Sequence, residues 1–268
     1  MRFRIVFSIT GKRRFLPINY QYELSAWIYK RIASADADYA QFLHSQGYGD
    51  FNRRYKLFSF SPLEIRPFRL HREYSAFELL GTEVALTFGF YSEIAAGAFI
   101  KGIFMDQHIG LGNRLHQVDM QVSRVEALPE PHFSETMEWQ ALSPVVVSVH
   151  TEGKKHAQYA HPAQVGYGQA IIQNLISRWT AYHTEQELVP LDAGEHNKEV
   201  NNTAFELLID KPKAKLITIK ALTPQETKVK GYLYHFKLTA PIELQRLVYA
   251  SGVGEKGSLG FGFIKRSG

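Results

Sequence analysis

Residues 2–35 read RFRIVFSITGKRRFLPINYQYELSAWIYKRIASA, and their hydrophobic period changes once on the way. From Arg2 to Ile9 the pattern alternates, with Phe3, Ile5 and Phe7 on one face and Arg2, Arg4 and Val6 on the other, which predicts a strand. A basic turn, Gly11-Lys12-Arg13-Arg14, and Pro17 end it. From about Tyr20 to Ala35, Leu24, Ile28 and Ile32 recur every four residues, as in the buried stripe of an amphipathic helix. The chain therefore opens as strand, turn and helix.

Downstream, Asp36 or Asp38 can cap a short second helix that carries Tyr39, Phe42 and Leu43 and stops at Gly47. Lys56-Leu57-Phe58-Ser59-Phe60-Ser61 alternates as a strand, and Arg66 to Tyr74 with Glu78 to Tyr91 reads as a hairpin. Glu93 to Phe104 is an Ala-rich helix, and Leu115 to Leu128 returns as a strand. This is a β-α-β-β-α-β order. Pro129, Pro131 and a polar run to Gln140 read as a linker. The order then starts over with a strand at Ser143–His150 (SPVVVSVH) and a helix at Ala163–His183, where Ile171, Leu175 and Trp179 keep four-residue spacing. Strands follow at Phe205–Asp210, Leu216–Lys220 and Tyr232–Thr239, then a helix at Pro241–Ser251 and a closing strand at Leu259–Lys265. The charged insert 185–202 reads as a loop. The expected fold class is α+β, two tandem ferredoxin-like (β-α-β-β-α-β) domains with antiparallel sheets, over residues 1–128 and 141–268.

Composition narrows the chemistry. The 268 residues are 45% hydrophobic and 21% charged, which suits a globular protein with a core and excludes disorder, collagen and coiled coil. Cysteine is absent, which removes disulfides, zinc-thiolate sites, iron–sulfur clusters and cysteine nucleophiles together. No stretch approaches the roughly 20 apolar residues of a membrane span, and MRFRIVFSITGKRR lacks a signal peptide's apolar core. A soluble, cytoplasmic protein without a membrane partner is expected. The net charge of +5 conceals a segregation: residues 1–75 carry 13 Lys+Arg against 6 Asp+Glu, residues 76–210 carry 7 against 17, and residues 211–268 carry 11 against 3. Basic ends around an acidic middle suit a polyanion held by surfaces from both termini.

Gly252-Val253-Gly254-Glu255-Lys256-Gly257-Ser258-Leu259-Gly260-Phe261-Gly262 holds five glycines in eleven residues. Its start matches the dinucleotide pattern G-x-G-x-x-G, but that fingerprint must follow a strand and open a helix. Here it follows a helix, leads to a strand and leaves no room for the acidic residue about twenty positions on. It also fails as a P-loop, since Ser258 stands where the lysine belongs. What remains is a loop whose glycines let backbone N–H groups approach a phosphate, with Gly254, Lys256, Gly257 and Ser258 as candidate contacts.

With the early L-P-x-x-Y-x-Y helix, the K-L-F-S-F-S strand and the doubled β-α order, this loop resembles the CRISPR-associated endoribonucleases that cut precursor CRISPR RNA within its repeats, part of the RAMP superfamily. The resemblance spans the chain. It implies cleavage without metal or cofactor, by attack of a ribose 2′-hydroxyl on the adjacent phosphate to leave a 2′,3′-cyclic phosphate and a 5′-hydroxyl. It also implies a Tyr, His and Lys around that phosphate, at positions matching Tyr29, His44 and Lys56. Each residue type suits its task. Tyr29 lies about 100° around the helix from the buried stripe and shares a face with Tyr22, Ser25 and Ala26. His44 falls in a last helical turn, where the negative dipole end favours imidazolium, an acid for the leaving oxygen. Lys56, preceded by Arg53 and Arg54, can stabilise charge on phosphate. Whether Tyr29 or His44 acts as base stays open, because an unperturbed tyrosine titrates near 10. The long stretch Ser45–Tyr55 could displace His44 or Lys56 and break the set.

Phosphate contacts are expected from Arg2, Arg4, Lys12, Arg13, Arg14, Arg53, Arg54, Lys211, Lys213 and Lys215. His150, His156 and His161 match no standard metal spacing, and no metal site is expected. CRISPR repeat RNA is the expected partner; subunits of a CRISPR effector complex and a second copy in a homodimer are open as others. The rival reading is a non-catalytic subunit that holds repeat RNA, and a remoter one is a ferredoxin-like protein for small acidic ligands.

Overall fold

The computed structural model describes residues 1–49, 53–149, 158–185, 202–208 and 211–267. Its first unit has strands β1 (Arg2–Ile9), β2 (Phe58–Phe60), β3 (Glu83–Phe90), β4 (His108–Gly112) and β5 (Gln117–Leu128). They form one antiparallel sheet in the order β2-β3-β1-β5-β4. Helices α1 (Gln21–Ala35) and α2 (Glu93–Met105) cover one face. The stripe Leu24, Ile28 and Ile32 is fully buried. Aromatic rings fill the layer below, with Phe99 of α2 4.9 Å from Phe88 and Trp27 meeting Phe99 edge-on at 5.7 Å.

The second unit repeats the plan. Strands β6 (Thr136–Ala141), β7 (Ala204–Leu207), β8 (His235–Thr239) and β9 (Ile264–Arg266) run in the order β7-β8-β6-β9, which matches β2-β3-β1-β5 position for position. Helices α3 (Tyr167–Glu185) and α4 (Ile242–Ser251) belong to it. Its core is also aromatic: buried Trp139 donates to Gln245 Oε1 at 3.0 Å, and the Tyr167 and Tyr234 hydroxyls share a 2.7 Å hydrogen bond. The antiparallel, doubled β-α-β-β-α-β plan expected from the sequence is therefore the architecture.

Several elements differ from expectation. The second unit starts with β6 at Thr136, inside the expected linker and ahead of residue 141. There Met137, Trp139 and Ala141 alternate inward, while of the expected strand Ser143–His150 only Ser148–Val149 pairs, with Gln158–Tyr159, and Val145 makes an isolated bridge to Tyr232. Glu78–Tyr91 divides at Gly81: Ala76–Leu79 pairs with Phe68–His71 and Phe15–Pro17, whereas β3 enters the main sheet. Leu216–Lys220 and the start of Tyr232–Thr239 belong to a separate ribbon, Lys213–Ile219 with Thr227–Leu233. The closing strand starts only at Ile264, after a 3-10 turn at Gly257–Leu259. Residues 186–201 of the expected loop lie outside the described residues. Among the described residues, no helix is long and apolar enough to cross a membrane.

The two units meet where the end of α4 lies on β3. A Cβ on Gly89 would sit 2.1 Å from the Ala250 carbonyl oxygen, so backbone touches backbone. Arg2, opposite Gly89 in the sheet register, is 5% exposed and donates to the carbonyls of Tyr249 and Ile264. Its guanidinium is sandwiched between the Tyr249 and Phe263 rings, 3.9 and 4.1 Å from their centroids. This corrects the expectation that Arg2 contacts phosphate: the second unit covers its face of the sheet.

Candidate active site

The side chains expected to act together come from three pieces of the first unit and one loop of the second. On α1, Tyr29 stands half-buried one position past Ile28. Asp36 caps the short helix Ala37–Gln41, its carboxylate accepting the Tyr39 N–H at 2.9 Å. The chain then widens into one π-helical turn, Phe42–Gln46, closed by the Gly47 N–H donating to the Phe42 carbonyl at 2.7 Å. That turn buries Leu43 and leaves His44 exposed. Tyr48–Gly49 pairs antiparallel with Arg54–Tyr55, so the excursion doubles back instead of displacing the set. It delivers the Lys56 ammonium to the carbonyls of Leu43 and His44, the latter at 3.2 Å. Residues 50–52 of that stretch lie outside the described residues.

The Tyr29 and His44 rings meet edge to face, with centroids 5.9 Å apart, and Phe58 holds the other side of Tyr29 at 5.7 Å. The Ser258 side chain of the glycine-rich loop lies close enough to the Tyr29 hydroxyl to favour its ionised form. Burial pushes that hydroxyl up to about 12, against the opposing pull of Ser258. Lys56 moves the other way: burial, then the neighbouring Arg54 charge, pushes its ammonium down to about 8. Tyrosine is thus neutral and lysine mostly cationic at neutral pH.

A cleft of about 870 Å³ opens between the units beside this cluster. One wall is Arg53–Phe58, the floor is Gly254–Leu259, and the opposite wall is a face of α3 bearing Gln169, Gln173 and Asn174. Tyr29 and His44 stand directly behind Ser258 and Lys56 and do not themselves line it. The loop forming the floor is fixed at its root. Buried Arg178 donates to the carbonyls of Gly252 (2.9 Å) and Ser251 (3.1 Å) and to the Ser251 hydroxyl. The negative end of α4 suits this cation, which burial lowers only to about 10. Further along, the Glu255 carboxylate accepts from the Ser148 N–H (2.7 Å) and hydroxyl (2.9 Å). Lys256, in a left-handed conformation, sets its ammonium 5.8 Å over the Tyr159 ring.

The cleft thus gathers Arg53, Arg54, Lys56, Gly254, Lys256, Gly257 and Ser258 and leaves the other expected contacts outside. Arg4 pairs with Glu64 and Glu126, Arg13 with Asp119, and Arg14 donates to the Gly81 carbonyl. Lys12, Lys211, Lys213 and Lys215 are exposed elsewhere on the surface. His161 packs edge-on against Tyr232 at 4.8 Å, and His150 and His156 lie outside the described residues. Arg178 was not anticipated, although a charge following Ile171 and Leu175 on an apolar stripe was its signal. Neither were Glu255, the lone acid in the glycine run, nor the α3 amides, which carry no distinctive spacing.

A family model described as CRISPR associated protein Cas6, C-terminal, matches residues 128–266. A second, CRISPR-associated protein Cas6, N-terminal, matches residues 15–126. The CRISPR-associated endoribonuclease Cas6 1 of Methanocaldococcus jannaschii is 26% identical over 257 residues, covering 93% of this chain and 86% of the relative. Among solved structures, a Cas6-related gene product from Pyrococcus furiosus superposes with a TM-score of 0.78 at 22% identity, covering 100% of this chain and 98% of that one. A structure titled as a RAMP protein binding different RNA substrates gives 0.77 at 21% identity, with both chains fully covered.

Proposed function

The chain belongs to the Cas6 family of CRISPR-associated proteins, and from that membership we propose that it is an endoribonuclease that cleaves precursor CRISPR RNA within its repeats. The jannaschii relative, similar over almost the whole chain, is named a CRISPR-associated endoribonuclease. The observation that carries the reading for this chain is the convergence of Tyr29, His44, Lys56 and Ser258 at the edge of one cationic cleft.

The chemistry asks for three tasks. The ribose 2′-hydroxyl loses its proton and its oxygen bonds phosphorus; the bond from phosphorus to the 5′-oxygen breaks; that oxygen takes a proton. The products are a 2′,3′-cyclic phosphate and a 5′-hydroxyl. His44 exchanges the protons, as base toward the 2′-hydroxyl and as acid toward the 5′-oxygen. Tyr29, neutral at its raised pKa, is a poor base and instead donates a hydrogen bond and holds the His44 ring. Lys56, with N–H groups of Gly257 and Ser258, balances charge building on phosphate. No metal is needed for these tasks. The N-terminal unit, residues 1–128, carries the reacting side chains and the C-terminal unit, from Thr136 onward, carries the phosphate loop. Arg53, Arg54 and Lys256 hold the flanking backbone.

The non-catalytic subunit remains the second reading, favoured by one observation: the Lys56 ammonium already donates to two backbone carbonyls. The two separate when the protein meets its own genome's repeat RNA in excess EDTA. The enzyme cuts at one site and leaves a cyclic-phosphate end. Tight binding without a cut selects the subunit.

A further inference from the structure

The two walls of the cleft differ in kind. One carries Arg53, Arg54 and Lys56; the other, from α3, carries Gln169, Gln173 and Asn174, and its one charge at the cleft, the buried Arg178, is already bound to the Gly252 and Ser251 carbonyls. Gly166, Gln169, Gln173 and Asn174 follow helical spacing, so the amides share one face along α3. Gln169 and Gln173 are exposed, whereas Asn174 is 8% exposed, and its side-chain oxygen is buried with no hydrogen-bond partner. A buried, unpaired acceptor is costly, and natural proteins retain few of them.

Neutral amides cannot balance phosphates, but each pairs a donor with an acceptor at the spacing of a base edge. We propose that this face of α3 is a nucleobase subsite, taking a base splayed across the cleft from the phosphate wall, with Asn174 reading it and Gln173 beside it. The unpaired Asn174 oxygen calls for a donor. Adenine fits best, because its exocyclic amine is flanked by a ring-nitrogen acceptor on either side, N1 and N7, so two of its edges meet both atoms of one amide where cytosine offers one. Single-stranded RNA presents its bases in this way, unstacked and open on their edges. The proposal rests on the reading of the cleft as an RNA site and adds what sets the choice of sequence there.

The test uses the full chain and its own repeat RNA, with each adenosine replaced in turn by purine riboside, which lacks only the amine. Gel-shift affinity and single-turnover cleavage are measured for the unaltered protein, Asn174→Ala and Gln173→Ala. One replacement is expected to cost the unaltered protein about tenfold in affinity. In Asn174→Ala the same replacement is expected to cost less than about twofold, because the partner is already gone. Should Asn174→Ala fail to fold, as judged by its melting curve, Asn174→Leu, which fills nearly the same volume without the amide, carries the test by the same criterion. A penalty equal in variant and parent, or a variant that weakens every RNA alike, overturns the subsite. Because affinity is read separately, an unaltered protein that binds without cutting refutes the nuclease reading and leaves the base subsite to be decided by the gel shifts.

Discussion

At the scale of single residues, the site depends on two opposite effects of burial. Tyr29 is held neutral, whereas Lys56 is brought to about 8, near enough to neutrality for its charge to change over an accessible range. The sign is definite. Below about 8 the ammonium is present and can balance phosphate charge; as pH rises through that value it is lost, and cleavage should fall. Lys56→Arg, whose charge persists to far higher pH, should push that fall beyond the range even if its overall rate is lower. A single-turnover pH profile checks this, and an unchanged alkaline limb would remove Lys56 from charge stabilisation. Tyr29→Phe should slow cleavage by about tenfold or less without moving the profile, since it removes a hydrogen bond and no titrating group. Tyr29, His44 and Lys56 were accessible from sequence only through the resemblance. No rule of spacing brings positions 29, 44 and 56 together; a π-helical turn and a doubled-back ribbon do.

At the scale of elements, the glycine-rich loop is where backbone geometry is most demanding. Gly262 has φ +68, and a Cβ there would fall 1.9 Å from the Val253 carbonyl oxygen. Gly262→Ala should therefore destabilise the protein by about 2–4 kcal/mol, read as a lower denaturation midpoint. Gly97 in α2 provides the contrast, since a Cβ would meet nothing within 4 Å. Gly97→Ala should stabilise by about 0.5–1 kcal/mol through helix propensity alone. The first unit's strands and helices were legible because most bury one face and leave a clean period. The opening strand of the second was not, because two nearby prolines disguised the alternation of Met137, Trp139 and Ala141. Of the continuous apolar run after it, only the end, Ser148–Val149, pairs as a strand.

At the scale of the whole molecule, two buried arginines fix the end of α4, Arg2 from the first unit and Arg178 from the second. The glycine loop departs from that joint toward Tyr29, so the joint sets where the cleft floor lies against the phosphate wall. Arg2→Ala should lower stability by about 2–4 kcal/mol, because it strands the Tyr249 and Ile264 carbonyls in a buried place. Such a loss in an equilibrium denaturation series would separate it from a surface phosphate contact, whose removal leaves stability within about 0.5 kcal/mol. The charge segregation along the chain pointed to basic surfaces from both ends; Arg53, Arg54, Lys56 and Lys256 line the cleft, and the other expected cations lie outside it. It could not foretell which cations would be folded into the interior, because burial of Arg2 depends on a partner strand and helix far away in sequence. The central claim, that His44 moves the protons at an otherwise intact RNA site, is tested most directly by one comparison. Single-turnover cleavage and affinity are measured together for the unaltered protein and His44→Ala on the same repeat RNA. The expected result for His44→Ala is a rate lower by about 10²–10⁴ with affinity within about threefold; cleavage by His44→Ala at the parent rate would take the proton transfers away from His44.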